Sequence, residues 1–395
     1  MDVTTGFRRA GRIEALEISE IVQLSERAAA MRAAGRDVVA LSTGEPDFPT
    51  PAHVVEAAHA AALAGKTRYP STLGTAELRE AIATANNVGR DEVIVSTGAK
   101  QVLANAMLAT LDPGDEVIMP APYWTSYSDI VLMAGGRPVV VTCTMEQNFK
   151  LSPAALEAAI TPRTRWLMLN SPANPSGAIY TSQEILALAA VLHRHPDVWV
   201  LSDEIYEHLN FVPFHSFKSV APALADRLLI VNGVSKAYAM TGWRIGWGIA
   251  PAALVQAMGA VQGQITSGAC SIAQAAALAA LTGDQDLLDI RRAAMRARRD
   301  MVVTRLNAIS GIECPIPDGA FYAFPRITGA MAACGFATDA EFCSWLLDEG
   351  GVAIVPGRAF GLAGHARLSF AYSEADLDAG LTRIGDAIAR RTGAN

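Results

Sequence analysis

Short apolar runs recur through the middle of the chain, each followed by a stretch with the pattern of a helix. The runs are Val93-Ile-Val-Ser96, Glu116-Val-Ile-Met119, Val139-Val-Val-Thr142, Arg165-Trp-Leu-Met-Leu-Asn170, Val198-Trp-Val-Leu201 and Arg227-Leu-Leu-Ile-Val231. Helices are predicted between them over 99–111, 125–134, 153–160 and 182–193. Strand runs this apolar belong to a parallel sheet covered on both faces. A further strand is expected from Trp243 to Ile249.

The flanks read differently. Ser19 caps a helix that runs to Ala34 and stops at Gly35. Val38-Val-Ala-Leu41 is a short strand, and Ser42-Thr-Gly44-Glu-Pro-Asp-Phe48 is a loop forced by glycine and by Pro46 and Pro49. That loop is either a plain connection or a row of N–H groups for a ligand. Helices follow over 51–64 and from Thr75. The region 251–310 is helical, with a long arginine-bearing helix after Asp284. Strands at 321–324, 353–355 and 367–371 then mix with helices at 338–349 and 374–391. The expected fold is α/β: a large domain with a mostly parallel seven-stranded sheet flanked by helices, plus a smaller α+β domain. The boundaries place the large domain at 48–285, the small one at 19–47 and 286–395, and a polar arm at 1–18.

Composition narrows the function. Hydrophobic residues make up 51% and charged residues 18%, which fits a well-buried globular chain and not a disordered one. A formal charge of -7 argues against a nucleic-acid partner. No run reaches the length of a membrane span, and the start lacks an apolar signal core. Cys143, Cys270, Cys314, Cys334 and Cys343 are scattered, as reduced thiols of a cytoplasmic protein would be. The histidines make no metal-binding spacing. The basic run from Arg291-Arg292 to Arg298-Arg299 is expected to be a solvated helix face.

Candidate chemistry sits at strand ends. Gly98 precedes a helix whose free N–H groups and positive dipole end suit a phosphate. Asn170-Ser-Pro-Ala-Asn174-Pro-Ser-Gly177 is a rigid loop at a strand's carboxyl end, where open α/β sheets bind ligands. Asp203 tips another apolar strand, where a carboxylate is either functional or paired with a cation. Lys236 stands among small and apolar residues, and Arg244 follows eight residues on. The lysine is either an ordinary one in a glycine-rich loop or, once buried, a neutral amine able to form a Schiff base.

The string Ser235-Lys236-Ala-Tyr-Ala-Met-Thr-Gly-Trp-Arg244-Ile-Gly246 resembles the cofactor-lysine motif of class I aminotransferases, which bind pyridoxal 5'-phosphate. The likeness to the prokaryotic aspartate aminotransferase type extends over nearly the whole chain. Thr43-Gly44-Glu-Pro-Asp-Phe48, Gly98-Ala-Lys-Gln101, Pro122-Tyr-Trp124, the 170–177 loop, Ser202-Asp-Glu-Ile-Tyr206 and Arg367-Leu-Ser-Phe370 carry it in order.

The resemblance implies a role for each matching residue. Lys236 would hold the cofactor aldehyde and then shuttle the proton. Asp203 would keep the pyridine nitrogen protonated, and Asp203→Asn would lose that pairing. Asn174 and Tyr206 would bond the ring oxygen, and Trp124 would stack on the ring, against the alternative of a plain core tryptophan. Arg244, Ser235 and the N–H groups of Gly98, Ala99 and Lys100 would seat the phosphate. Gly233 stands where some relatives place a phosphate-site serine. Tyr69, unless an ordinary loop tyrosine, would reach the phosphate of a second subunit, which implies a homodimer. Arg367 would clamp the substrate α-carboxylate, helped by the Gly44 N–H and flanked by Asn174 and Trp124. Lys100 would meet the distal carboxylate of an acidic substrate, or else lie by the phosphate or in solvent. Ile21 replaces a small polar residue of the relatives, and the stretch 84–89 is shorter than theirs. The implied reaction moves an amino group from an L-amino acid, L-aspartate first, to 2-oxoglutarate by a ping-pong route through pyridoxamine phosphate. A neutral or aromatic donor, or lyase chemistry on the same fold, is the alternative.

Overall fold

The computed structural model describes residues 9–14, 16 and 19–393, so most of the expected 1–18 arm lies outside the described residues. The seven strands of the main sheet are β1 (Val93–Thr97), β2 (Glu116–Ala121), β3 (Arg137–Thr142), β4 (Thr164–Asn170), β5 (Trp199–Asp203), β6 (Leu228–Gly233) and β7 (Ile245–Ile249). Their order is β1-β7-β6-β5-β4-β2-β3. Strand β7 runs against β1 and β6, and the other neighbours pair parallel.

Side chains of one strand alternate between two cores, as the period of two requires. Leu167 and Leu169 join the cluster on one face with Val95, Val200 and Ile230. Trp166 and Met168 join the opposite cluster with Val117, Leu201 and Val231. All six residues of β6 are buried. Helices on both sides therefore leave the strand ends as the open part of the sheet. The register sets Asn170 beside Asp203, and Asp203 beside Val231, so the carboxyl ends of β4, β5 and β6 finish together.

Glycine permits one close approach that matters for the site. Gly98, at φ +80°, turns the chain from β1 into the helix Ala99–Thr110. A Cβ on Gly246 of β7 would lie 2.2 Å from the Ala99 nitrogen. Backbone thus packs directly on the helix start, which any side chain would push away.

The remaining elements form a third core. Val39–Ala40 pairs parallel with Val352–Ala353. A small antiparallel sheet is ordered Val355–Pro356, Ala366–Ser369, Tyr322–Ala323. The Ser369 N–H donates to the Leu41 carbonyl, which ties the two sheets together. The helices Asp286–Asn307 and Glu374–Thr392 cover them through Val302, Leu306, Leu381 and Ile384. The 338–349 stretch divides into an α-helix over Asp339–Trp345 and a wider turn over Leu346–Gly350.

The basic run is not a solvated face. Arg291 is only 9% exposed and donates to the carbonyls of Ala237 and Pro49 at 2.9 and 2.8 Å. Arg298 forks onto the Asp47 carboxylate at 2.7 and 2.9 Å, and Arg299 reaches the Pro317 carbonyl. Arg291 and Arg299 satisfy loop carbonyls, and Arg298 pairs with a loop carboxylate. Arg292, paired with Asp289 three residues back, keeps the expected surface role. The long helix is therefore a strut behind both the 47–49 loop and the lysine turn.

Gly246→Ala should force β7 and the Ala99–Thr110 helix apart. The expected loss is about 1–3 kcal/mol of stability by chemical denaturation, the usual cost of overpacking. An unchanged denaturation midpoint would contradict this backbone-on-backbone contact.

Candidate active site

A cavity of about 290 Å³ opens over the carboxyl ends of β4, β5 and β6. Its lining brings together Ile21, Gly44, Ala99, Lys100, Trp124, Asn174, Asp203, Tyr206, Ser235, Lys236, Arg244 and Arg367, which lie far apart in the chain. Two of the expected site residues are not in the lining. Gly98 sits just behind it, against Arg244, and Tyr69 is 93% exposed and outside its own chain's cavity.

Lys236 follows the end of β6 in a turn closed by the left-handed Ala239 and by the Met240 N–H on the Ser235 carbonyl. Its Nζ donates to the Gly44 carbonyl at 2.6 Å. Burial pushes its pKa down to about 8, helped by the charges of Arg367 and Arg244 and opposed by Glu45 and Asp203. Such an amine is partly neutral near pH 8 and can add to a carbonyl compound.

Asp203 ends β5 and is 4% exposed. The Tyr127 hydroxyl donates to it at 2.6 Å and the Ile205 N–H at 3.2 Å. Burial still lifts its pKa to about 6, because these two bonds and the Lys236 charge only partly offset desolvation. A cationic or N–H-bearing ring nitrogen placed against this carboxylate would complete its solvation.

Arg367 is buried, with its Nη1 on the Asn174 side-chain oxygen at 2.9 Å and its Nη2 on the Ser42 carbonyl at 2.5 Å. Its Nε–H is buried without a partner among the described residues. A buried guanidinium with a spare donor calls for an anion. The Asn174 amide offers its oxygen to the arginine, which leaves its NH₂ group for a ligand. That loop is fixed by the Asn174 N–H on the Asn170 side-chain oxygen at 2.7 Å.

At the other end, Gly98 and the start of the Ala99–Thr110 helix meet Arg244. A Cβ at Gly98 would lie 2.6 Å from Arg244 Nη2, so glycine makes room for the guanidinium beside the helix N-terminus. Arg244 itself adopts φ +58°, with its Nη1 on the Thr241 carbonyl at 2.8 Å. The Gly98 N–H, expected to hold the phosphate, is instead given to the Ser96 carbonyl at 2.7 Å, so the seat is made by the N–H groups of Ala99 and Lys100, the helix dipole and the Arg244 cation.

Lys100 stands at the exposed mouth of the cavity. Its Nζ lies 4.8 Å from the centroid of the Trp124 ring, and burial and Arg244 lower its pKa while Asp129 raises it. Ile21 lines the same cavity from the first turn of the helix Glu20–Ala33. The pocket thus presents a cation and an apolar wall to whatever side chain enters.

Sequence reasoning missed Tyr127 and Tyr322, both in the lining. Tyr127 stands one helical turn after Trp124, so the Tyr123-Trp124 string already carried a signal for it. Tyr322 carried only the alternation of a short strand.

The chain also matches known proteins. The model of the family described as "Aminotransferase class I and II" matches residues 36–384. "Aspartate aminotransferase" of Rhizobium meliloti (strain 1021) is 50% identical, over 98% of this chain and 97% of the relative. "Aspartate/prephenate aminotransferase" of Cereibacter sphaeroides is 49% identical, over 93% and 95%. A crystal structure of the Rhizobium meliloti aspartate aminotransferase superposes with a TM-score of 0.93 over 98% of this chain and 100% of that one, at 49% identity. The Thermus thermophilus aspartate aminotransferase with maleate gives 0.91 over 96% and 100%, at 41% identity. With a family match across most of its length, the chain belongs to the class I and II aminotransferases and works as a pyridoxal-phosphate-dependent transaminase.

Proposed function

We propose that this enzyme transfers the amino group of L-aspartate to 2-oxoglutarate by a ping-pong route through pyridoxamine phosphate. The observation that carries the reading is the buried Lys236 amine, set in one cavity with the Asp203 carboxylate and the half-satisfied Arg367 guanidinium. The residues fit pyridoxal phosphate at each end: Gly98 makes room for Arg244 at a helix start, and a buried carboxylate awaits a protonated ring nitrogen. The bound cofactor supplies a ring that withdraws electrons from the substrate's Cα–H bond.

The protein's own residues do the rest. Lys236 Nζ takes the Cα proton and returns it one position along. Asp203 holds the proton on the ring nitrogen, and Tyr127 keeps that carboxylate in place. Asn174 and Tyr206 face the ring oxygen, and Trp124 flanks the ring. Ala99, Lys100, Ser235 and Arg244 hold the phosphate, and Gly98 makes the room for Arg244. Arg367 binds the amino acid's α-carboxylate, with Gly44 beside it. Tyr69, exposed on its own chain, serves the cavity of a second copy in a homodimer. The same proposal takes 48–285 as the cofactor domain, 19–47 with 286–395 as the smaller one, and the cytoplasm as the location. Among the described residues no helix is long and apolar enough to cross a membrane, and no cluster fit for a metal occurs.

Aspartate is favoured by Lys100 in the cavity, by the relatives' names and by the dicarboxylate maleate in the Thermus thermophilus structure. Ile21 favours a second reading. An apolar wall beside a cation also suits prephenate, named for several relatives, a dicarboxylate built on a six-carbon ring.

Two measurements test these readings. Single-turnover loss of the bound cofactor's absorbance should be fastest with aspartate among the common L-amino acids, and Lys100→Ala should raise the aspartate KM about tenfold, the worth of about 1.4 kcal/mol. Aspartate no better than alanine or phenylalanine would end the acidic-substrate reading. Capture of cofactor by the apoprotein should quicken with pH and level off above about 8, because only the neutral Lys236 amine reacts. A profile still climbing past pH 10 would show an ordinary, solvated lysine.

A further inference from the structure

Tyr322 is absorbed by none of the roles above, yet it touches three of the groups that hold them. It is 1% exposed on the strand Tyr322–Ala323. Its hydroxyl lies 2.9 Å from the Tyr206 hydroxyl. A Cβ at Gly44 would come within 2.3 Å of the Tyr322 hydroxyl oxygen, so the phenol sits directly against the Gly44 backbone whose carbonyl accepts a hydrogen bond from Lys236 Nζ. Its ring centroid is 4.5 Å from Arg367 Cζ, and Phe360 offers a second ring at 4.9 Å.

We propose that Tyr322 is a positioning residue for transamination: its hydroxyl orients the Tyr206 hydroxyl, and its ring backs the Arg367 guanidinium. The proposal rests on the roles given above to Tyr206 and Arg367. A buried phenol needs a hydrogen-bond partner, and among the described residues the Tyr206 hydroxyl has Tyr322. A phenol that accepts one hydrogen bond donates a stronger one, because the chain of bonds polarises. The two hydroxyls lie 2.9 Å apart and either can donate; once Tyr206 gives its own proton to the cofactor's ring oxygen, Tyr322 is left as the donor of the pair, and that strengthens the Tyr206 bond. That bond draws negative charge from the oxygen, so the neighbouring nitrogen releases its proton at a lower pH. The ring acts separately. Arg367 uses two of its five N–H donors and has its Nε–H wholly unpartnered, and the flat face of Tyr322 fixes the plane in which the fork meets a carboxylate.

The test uses holoenzyme with Tyr322→Phe, Tyr322→Leu, Tyr206→Phe and the Tyr206→Phe/Tyr322→Phe double variant. It reads the pH midpoint of the bound cofactor's visible absorbance, with kcat and KM beside it. Tyr322→Phe should move the midpoint up by about 0.3 pH unit, in the direction of Tyr206→Phe and by less, at an unchanged KM. The double variant should move no further than Tyr206→Phe alone. Tyr322→Leu should also raise the amino-acid KM about tenfold, since the ring is gone. If Tyr206→Phe shifts the midpoint and Tyr322→Phe does not, the Tyr206 role stands and this proposal falls. If neither shifts it, both fall. Additive shifts in the double variant, or an unchanged KM in Tyr322→Leu, would equally overturn it. Should the leucine variant fail to fold, the phenylalanine series still decides.

Discussion

Desolvation of one amine governs this structure. The Lys236 ammonium would be costly to hold in a cavity walled by β-strand ends and aromatic rings. Two further cations, Arg367 and Arg244, push in the same direction, and burial is the largest cause of the fall to about 8. Two carboxylates oppose them, Glu45 and Asp203. An amine held between these influences is reactive because its charged form is poorly solvated. The same burial raises Asp203 and leaves Arg367 with an unmatched donor. The site is thus a set of incompletely solvated groups whose deficits match two molecules: one with an aldehyde, a basic ring nitrogen and a phosphate, and one with a carboxylate.

Holding such groups near one another requires a stiff scaffold. Parallel strands β4, β5 and β6 end side by side and deliver Asn170, Asp203 and the lysine turn to one edge. Glycine at 98 and 246 lets the helix start, Arg244 and β7 meet at backbone contact. The buried arginines complete the frame. Arg291 fixes the lysine turn and the 47–49 loop from behind, and Arg298 ties Asp47 to the same helix. The carboxylate end depends on the strand Ala366–Ser369, from which Arg367 reaches the Asn174 side chain of the loop after β4 and the Ser42 carbonyl.

Much of this was readable in the chain. Strand runs and the loops that follow them place Asn174, Asp203 and Lys236 at the open edge, because parallel strands must be apolar and their ends must not. Arg367 and Trp124 needed the family resemblance, since nothing local marks a buried cation or a stacking ring. Three features escaped for one reason: they are tertiary. Arg291 sits in a run of arginines that reads as surface, and only the carbonyls of Ala237 and Pro49 explain its burial. Tyr127 and Tyr322 are ordinary hydrophobic positions in sequence, and become polar partners only when Asp203 and Tyr206 arrive beside them. Lys100, exposed at the cavity mouth with its ammonium over Trp124, combines two of the expected environments, solvent and the substrate cavity.

The central claim is that the side chain at position 236 carries the cofactor covalently. Borohydride reduction of the cofactor-saturated protein, followed by proteolysis and mass spectrometry, tests it most directly. The account predicts a reduced cofactor adduct on the peptide containing Lys236. An unmodified Lys236 peptide in fully loaded protein, or an adduct on another lysine, would contradict it.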